Sequence, residues 1–358
     1  MKKALIAMSG GVDSSVAALL TLQSGYECIG ATMKLYEAQS EPDSGQKQCC
    51  TASDAQDARS VAAKLGMPFY VFAFQKEFEQ YVIQPFVRSY EEGATPNPCI
   101  ECNKHLKFEK LFLKMLELGC SHIVTGHYAR IEYDAQSGRY LLKKAKDAAK
   151  DQSYVLYGLT QEQLAHTLFP LGEVTDKAFT RKLAEENGLL TAHKSESQDI
   201  CFVPDGDYIS FIQRYTGKTY PSGNFVDTKG NVLGTHKGMI CYTVGQRKGL
   251  GLSLPKPMYV CKKDTQSNNV VLCFKEELGT KEVIAEDINW ISIDSLKEPM
   301  RVCARIRYNQ KEQPATVYDV GGGKIKVVFD EAPSTPAAKG QALVMYDGDT
   351  VVGGGTII

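Results

Sequence analysis

Residues Ser9-Gly10-Gly11-Val12-Asp13-Ser14-Ser15 bring glycines, hydroxyls and a carboxylate together within seven positions. Glycine has no Cβ, so a turn of this kind lets backbone approach an anion closely. The apolar run Ala4-Leu5-Ile6-Ala7-Met8 before it reads as a strand, and Val16-Ala17-Ala18-Leu19-Leu20 after it as a helix. The helix start adds unpaired N–H groups and the positive end of its dipole. The chemistry this pattern fits is phosphate binding. It is not the common nucleotide loop, because no Gly-Lys-Ser/Thr follows at the required spacing, and it is not G-x-G-x-x-G. A second chemistry is carried by thiols. Thr95-Pro96-Asn97-Pro98-Cys99-Ile100-Glu101-Cys102-Asn103-Lys104 places a C-x-x-C in a proline-restricted loop ahead of a helix expected from about His105. A helix N-terminus and a lysine lower a thiol's pKa, so a nucleophilic thiolate is expected there. Cys201, in Ser195-Glu196-Ser197-Gln198-Asp199-Ile200-Cys201-Phe202-Val203-Pro204, is a third candidate. A lone C-x-x-C also fits half of a zinc site or a thioredoxin-like motif. No second C-x-x-C completes a zinc site, and the local context does not suit the thioredoxin turn.

The elements that position these groups alternate in type up to about residue 130. Strands are expected at Tyr26–Met33, Pro68–Phe74 and Ser121–Gly126, and helices at Thr51–Leu65, Lys76–Glu91 and His105–Leu118. That order implies a parallel sheet covered on both faces. A hairpin turns at Asp134–Arg139, Gln39–Gln48 reads as a loop, and Gln161–Leu168 and Asp176–Asn187 as helices. Gly188 stands at the expected C-terminal cap of the last of these. Beyond residue 219, short β-rich segments separated by turn clusters suggest one or two small barrels or sandwiches. The fold class is therefore α/β: a Rossmann-like parallel sheet over 1–204, a small β-rich central domain over 205–277, and a C-terminal β-barrel over 278–358.

Length supports this, since 358 residues at about 150 per domain make two or three domains. A net charge of −1 gives no global basic field, so nucleic-acid contact would rest on local patches. Two such patches are Lys143, Lys144, Lys146 and Lys150, and Arg301, Arg305, Arg307 and Lys311. The apolar start is too short for a signal peptide, and no run approaches the ~18 residues of a spanning helix. A cytoplasmic protein with no membrane role is expected, with its eleven cysteines mostly reduced. Cys28, Cys120, Cys241, Cys261, Cys273 and Cys303 read as packing residues, while Cys49 and Cys50 carry no assignment.

Ser-Gly-Gly-Val-Asp-Ser resembles the PP-loop of the ATP pyrophosphatase superfamily, whose members cleave ATP between the α and β phosphates. Taken with Thr95–Lys104, Lys107-Phe108, Thr125-Gly126-His127-Tyr128-Ala129-Arg130, Lys150-Asp151-Gln152-Ser153-Tyr154, Ser195–Pro204 and Tyr242–Gly251, the chain resembles the bacterial tRNA-specific 2-thiouridylase family nearly end to end. The resemblance implies ATP-dependent thiolation of C2 of the wobble uridine of tRNA. It implies ATP contacts from Ala7, Met8, Ser9, Gly10, Gly11, Val12, Asp13, Ser14, Met33 and Gly126, with Mg²⁺ alongside. It implies Cys102 and Cys201 as catalytic cysteines. Cys201 would take sulfur as a persulfide from a donor protein, and Cys102 would complete the transfer, leaving a Cys102–Cys201 disulfide. The implied tRNA contacts are Asn97, Pro98, Cys99, His127, Lys150, Asp151, Gln152, Arg307, Tyr308 and Gln341. A monomer is expected. Cys99 stands where many members carry Asp, which raises an alternative: a [4Fe–4S] cluster on Cys99, Cys102 and Cys201 that supplies sulfide. An ATP-dependent amide or amine ligase is a second alternative for the same loop, although such an enzyme has no use for the cysteine pair.

Overall fold

The computed structural model describes residues 2–36, 52–194, 200–203 and 206–358. Cys49, Cys50, the Gln39–Gln48 loop and Ser195–Asp199 lie outside these residues. Two compact units emerge: Met1–Val82, Pro98–Gly206 and Asp349–Val351 form the first, and Ile83–Asn97, Asp207–Gly348 and Val352–Ile358 the second. No helix among the described residues is long and apolar enough to cross a membrane.

In the first unit, β1 (Lys3–Ala7), β2 (Glu27–Lys34), β3 (Phe69–Ala73), β4 (His122–Val124), the hairpin β5 (Ala129–Asp134) and β6 (Arg139–Lys144), and β7 (Thr167–Leu168) supply the strands. Five of them make a parallel sheet in the order β3-β2-β1-β4-β7. β1 is central, paired with β2 through Ala4–Cys28 and with β4 through Leu5–Ile123. Ala4, Leu5 and Ile6 are fully buried, as a parallel strand covered on both faces requires. The order reverses between β1 and β4, and the carboxyl ends of strands at such a switch point form the crevice where α/β sheets bind ligands. The helices α1 (Val12–Gln23) and α2 (Ala52–Lys64) cover the sheet, with Val16, Ala17, Ala58, Val61 and Ala62 in its core. The Rossmann-like α/β reading holds.

The strand β7 corrects the sequence reading, in which Gln161–Leu168 was one helix. That helix starts on a capping box between Thr160 and Gln163 but ends at Ala165. Thr167 and Leu168 then pair in parallel with Ile123 and Val124. Two residues are too few to show a strand period.

In the second unit, β8 (Gly223–Asp227), β9 (Val232–His236), β10 (Tyr259–Asp264) and β11 (Asn269–Cys273) form a sheet in the order β10-β11-β8-β9. β12 (Glu282–Trp290), β13 (Met300–Arg305), β14 (Gln313–Gly321), β15 (Lys324–Phe329), β16 (Ala342–Asp347) and β17 (Thr350–Ile357) follow. They run β12-β15-β14-β13-β16-β17, and the β12–β17 pairing closes them into a six-stranded barrel. Its interior holds Val283, Val302, Val317, Val327, Phe329, Leu343 and Met345. The central region also contains a helix absent from the sequence reading, Tyr208–Thr216, capped by Asp207 and ended by Gly217 at φ 67°. Its Tyr208 stacks on Tyr90 at 4.5 Å, and its Phe211 meets Phe86.

Closure of the barrel constrains the glycines of β17. A Cβ on Gly353 would stand 2.5 Å from the Asn289 carbonyl oxygen and 3.0 Å from the Trp290 ring. Gly353→Ala is therefore expected to destabilise the second unit by about 1–3 kcal/mol, seen as a lower denaturant midpoint. An unchanged midpoint would show that the barrel does not depend on this contact.

Candidate nucleotide and thiol site

The loop between β1 and α1 is braced from within. Ser14 Oγ accepts from the Ser9 amide at 3.2 Å and donates to the Gly11 carbonyl at 3.0 Å. Ser15 Oγ also donates to Gly11 O, at 2.9 Å, and accepts from Thr191 Oγ1 at 2.9 Å. Gly10 is at φ 75°, and a Cβ there would collide with the backbone of Asp54. Gly11, the N-terminal cap of α1, is extended and has no side chain to occupy the helix's first amides. The helix end is thus left for an external anion. Met8 is held by its amide on Ala31 O, 2.8 Å, and by Thr32 Oγ1 donating to its carbonyl. Met33 lies half-buried near the carboxyl end of β2.

The segment after β4 closes this loop. A Cβ on Gly126 would stand 2.7 Å from Ser14 N and 2.8 Å from Asp13 C, so only glycine fits. His127 is buried, with Nδ1 2.7 Å from Thr125 Oγ1 and Nε2 3.5 Å from Lys107 Nζ. Lys107 can only donate, so Nε2 accepts and Nδ1–H donates to Thr125. Burial, and then Lys107, hold the imidazole well below its usual pKa, and it is neutral. Tyr128, which the sequence reading quotes within a family segment but gives no role, donates its hydroxyl to Asp13 Oδ1 at 2.8 Å.

Lys107 carries this site to the cysteines. Helical structure begins at Pro98, not His105: Pro98–Glu101 is one α-turn, Cys102–Lys110 is π-helical, and Leu111–Glu117 is α-helical. Proline suits a first helical position because its missing N–H would be unpaired there anyway. Cys99 is exposed and Cys102 half-buried. The expected low pKa of Cys102 is overturned. Burial pushes the thiol up to about 11, Lys107 opposes this only in part, and Cys99 adds to it. Desolvation of the thiolate outweighs the cation. Beside Cys102, the buried Asn103 donates Nδ2–H to Val155 O at 3.1 Å. Cys201 is half-buried in a turn closed by Val203 N on Ile200 O, and its neighbour Phe202 packs edge-to-face on Phe78 at 5.6 Å.

None of the nine described cysteines forms a disulfide. Among the described residues no three His, Cys, Asp or Glu side chains gather closely enough to hold a metal. Cys99, Cys102 and Cys201 are not gathered into such a group among the described residues, and no step is drawn through a cluster.

The residues implied as tRNA contacts divide between the units. In the first, Asp151 is buried, accepting from Ala145 N and Ser153 N and from Ser153 Oγ. Gln152 Oε1 accepts from Tyr128 N at 3.0 Å, while its own amide donates to Tyr128 O at 2.9 Å. Both carry scaffold bonds. Lys150 is half-buried. In the second unit, Gln341 is buried and donates Nε2–H to Thr95 O at 2.7 Å and Pro96 O at 3.2 Å. Its amide holds the stretch that leads to Asn97. Arg307 donates to Val244 O at 3.2 Å, and Tyr308 is exposed. Of the basic patches, Arg301 pairs with Asp330, Arg305 with Glu312, and Lys143 with Glu132.

Residues 2–205 match a family model described as "tRNA methyl transferase HUP domain". Residues 209–274 match "tRNA methyl transferase PRC-barrel domain" and residues 280–357 "Aminomethyltransferase beta-barrel domain". A Clostridioides difficile protein named tRNA-specific 2-thiouridylase MnmA is 53% identical over 358 residues, covering 99% of this chain and 98% of that protein. The proteins of the same name from Acetivibrio thermocellus and Moorella thermoacetica are 53% and 50% identical, each over 99% of this chain and over 99% and 98% of their own. The chain belongs to the tRNA-specific 2-thiouridylase family. Among solved structures, a 4-thiouridine synthetase–RNA complex with bound ATP is 16% identical, with a TM-score of 0.35 over 60% of this chain and 50% of that one. The NMN synthetase of Francisella tularensis is 16% identical, with a TM-score of 0.34 over 62% and 79%.

Two outcomes are expected from this geometry. Alkylation of Cys102 by iodoacetamide should be slow at pH 7.5 and rise about tenfold per pH unit towards pH 10, because the thiolate fraction grows that way below a pKa near 11. A pH-independent fast reaction at Cys102, mapped by mass spectrometry, would contradict the burial effect. Gly126→Ala should abolish ATP binding measured by calorimetry and destabilise the first unit by about 1–3 kcal/mol, because the clash is with backbone.

Proposed function

We propose that this chain is a tRNA-uridine 2-sulfurtransferase that spends ATP as AMP and pyrophosphate to replace O2 of the wobble uridine with sulfur. The observation that carries the reading is a short chain of contacts. Gly126 lies against the nucleotide loop, its neighbour His127 meets Lys107, and Lys107 stands five residues after Cys102 on one helix. A phosphate-binding loop and a candidate nucleophile thus share one framework. The model descriptions mention methyl transfer, a reaction with no use for such a loop; thiolation needs it, because C2 oxygen leaves only once it has been activated.

In this reaction the uridine O2 attacks the α-phosphorus, the bond to the β-phosphate oxygen breaks, and pyrophosphate departs. The terminal sulfur of a Cys201 persulfide, supplied by a donor protein, then attacks C2 and AMP leaves. Cys102 attacks the Cys201 sulfur, releasing 2-thiouridine and forming a Cys102–Cys201 disulfide that a thiol reductant returns to two thiols. The amides at the start of α1 would hold the phosphates. Asp13 offers a hard carboxylate oxygen for Mg²⁺, which neutralises triphosphate charge when bound. The raised pKa of Cys102 keeps it a resting thiol before tRNA arrives. Asn97, Pro98, Cys99, His127, Lys150, Arg307 and Tyr308 remain the RNA contacts of this reading, whereas Asp151, Gln152 and Gln341 support it through the scaffold bonds described above. The domain limits at 204 and 278 belong to the same proposal.

The test is tRNA thiolation with labelled ATP and a persulfide donor. AMP and pyrophosphate are the expected products, and ADP would overturn the reading. Cys102→Ser and Cys201→Ser should each abolish thiolation. Full turnover in both variants would favour a ligase.

A further inference from the structure

One side chain in contact with the nucleotide loop has no place in the reaction above. Tyr128 is 2% exposed, yet its hydroxyl lies 2.8 Å from Asp13 Oδ1 in the first turn of α1. Three further contacts hold the residue, two on its backbone and one on its phenol. Gln152 accepts the Tyr128 amide proton and donates its own amide to the Tyr128 carbonyl. Thr180 Oγ1 lies 3.4 Å from the phenol oxygen. Two residues earlier, Gly126 is pressed against the Asp13 and Ser14 backbone.

A phenol buried at such cost has been placed to donate, since a buried hydroxyl needs a partner. The partner it takes is half-buried and stands where a triphosphate and its cation would enter. A single hydrogen bond to one oxygen of a carboxylate fixes the rotamer and leaves the other oxygen as the ligating atom. Burial raises the phenol's pKa, so it remains a donor across the physiological range.

Building on the ATP reading above, we propose that Tyr128 is a positioning residue that orients the carboxylate of Asp13 for magnesium-bound triphosphate, with Gln152 fixing the tyrosine from behind. Tyr128 acts only through Asp13. It contacts no reacting atom, and it links the Lys150–Tyr154 segment to the nucleotide loop by hydrogen bonds alone.

The experiment uses the full chain and Tyr128→Phe, which removes one hydroxyl and keeps the ring. Calorimetry with ATP in Mg²⁺ and in EDTA, thermal unfolding, and tRNA-dependent pyrophosphate release are measured. Affinity for ATP in Mg²⁺ is expected to fall about tenfold, the size of a lost bond to a charged group. Affinity in EDTA should change less than about twofold, because the metal-free nucleotide makes no use of the oriented oxygen. In an Asp13→Ala background the tyrosine change should add nothing further, as a role exerted through Asp13 requires.

Equal loss in Mg²⁺ and EDTA, or an additive loss in the Asp13→Ala background, would mean that Tyr128 is structural and would overturn the proposal. So would unchanged affinity in both conditions. If Tyr128→Phe does not fold, Gln152→Ala loosens the tyrosine's backbone and keeps its phenol. It should show the same Mg²⁺-selective loss at smaller size, and a loss without that selectivity counts against the proposal. The two readings separate in the wild type. ADP as product fails the ATP reading itself, whereas AMP with a Mg²⁺-indifferent Tyr128→Phe fails only the positioning role.

Discussion

The first unit depends on a place where backbone meets backbone with no side chain between. Gly126 leaves the end of β4 and lies against Asp13 and Ser14 at the start of α1, closer than any Cβ would permit. Gly10 meets Asp54 at the beginning of α2 in the same way. These contacts lock a turn from one side of the sheet's switch point to a strand end on the other. Once that distance is set, His127 and Tyr128 are delivered to fixed positions by chain connectivity alone. One then reaches the cysteine helix and the other the aspartate of the loop.

Cys102 shows how burial can outweigh a motif. Its neighbours include a lysine and it stands close to a helix start, features that normally favour thiolate. The protein surrounding the sulfur withdraws water from the charged form, and that cost exceeds what Lys107 returns. His127 obeys the same rule with the opposite sign of charge, since burial and Lys107 both disfavour its cation. Cys102 and His127 are therefore both held in their neutral forms.

Local signals were legible in the sequence. The strand, glycine turn and helix of residues 4–20 are contiguous, so their pattern survives without tertiary information, and the α/β alternation and the β-rich second half follow from periodicity in the same way. The β1–α1 loop, Cys102 and Cys201 stand out from residue types, and Gly126 from the resemblance to the family. What escaped depends on distant partners. Tyr128 and Asp13 are 115 positions apart, and Gln341 and Thr95 are 246 apart. Nothing in a lone tyrosine or glutamine announces such a bond. The two-residue strand β7 is too short for a period. The π-helix at Cys102–Lys110 differs from an α-helix by one hydrogen-bond register, which propensity cannot resolve.

The grouping of residues also governs how the molecule can be made. The chain passes between the two units at 82/83, 97/98, 206/207, 348/349 and 351/352. Residues 349–351 of the first unit and 352–358 of the second are made after all the other described residues. During translation the barrel lacks the strand that closes it, so β12 and β16 present unpaired edges to other nascent chains. Cutting at any one of these junctions frees neither unit intact. A fragment ending near residue 206 would carry the nucleotide loop and every candidate cysteine nucleophile. It would still lack Thr350, the partner of Lys143 on the β6 edge.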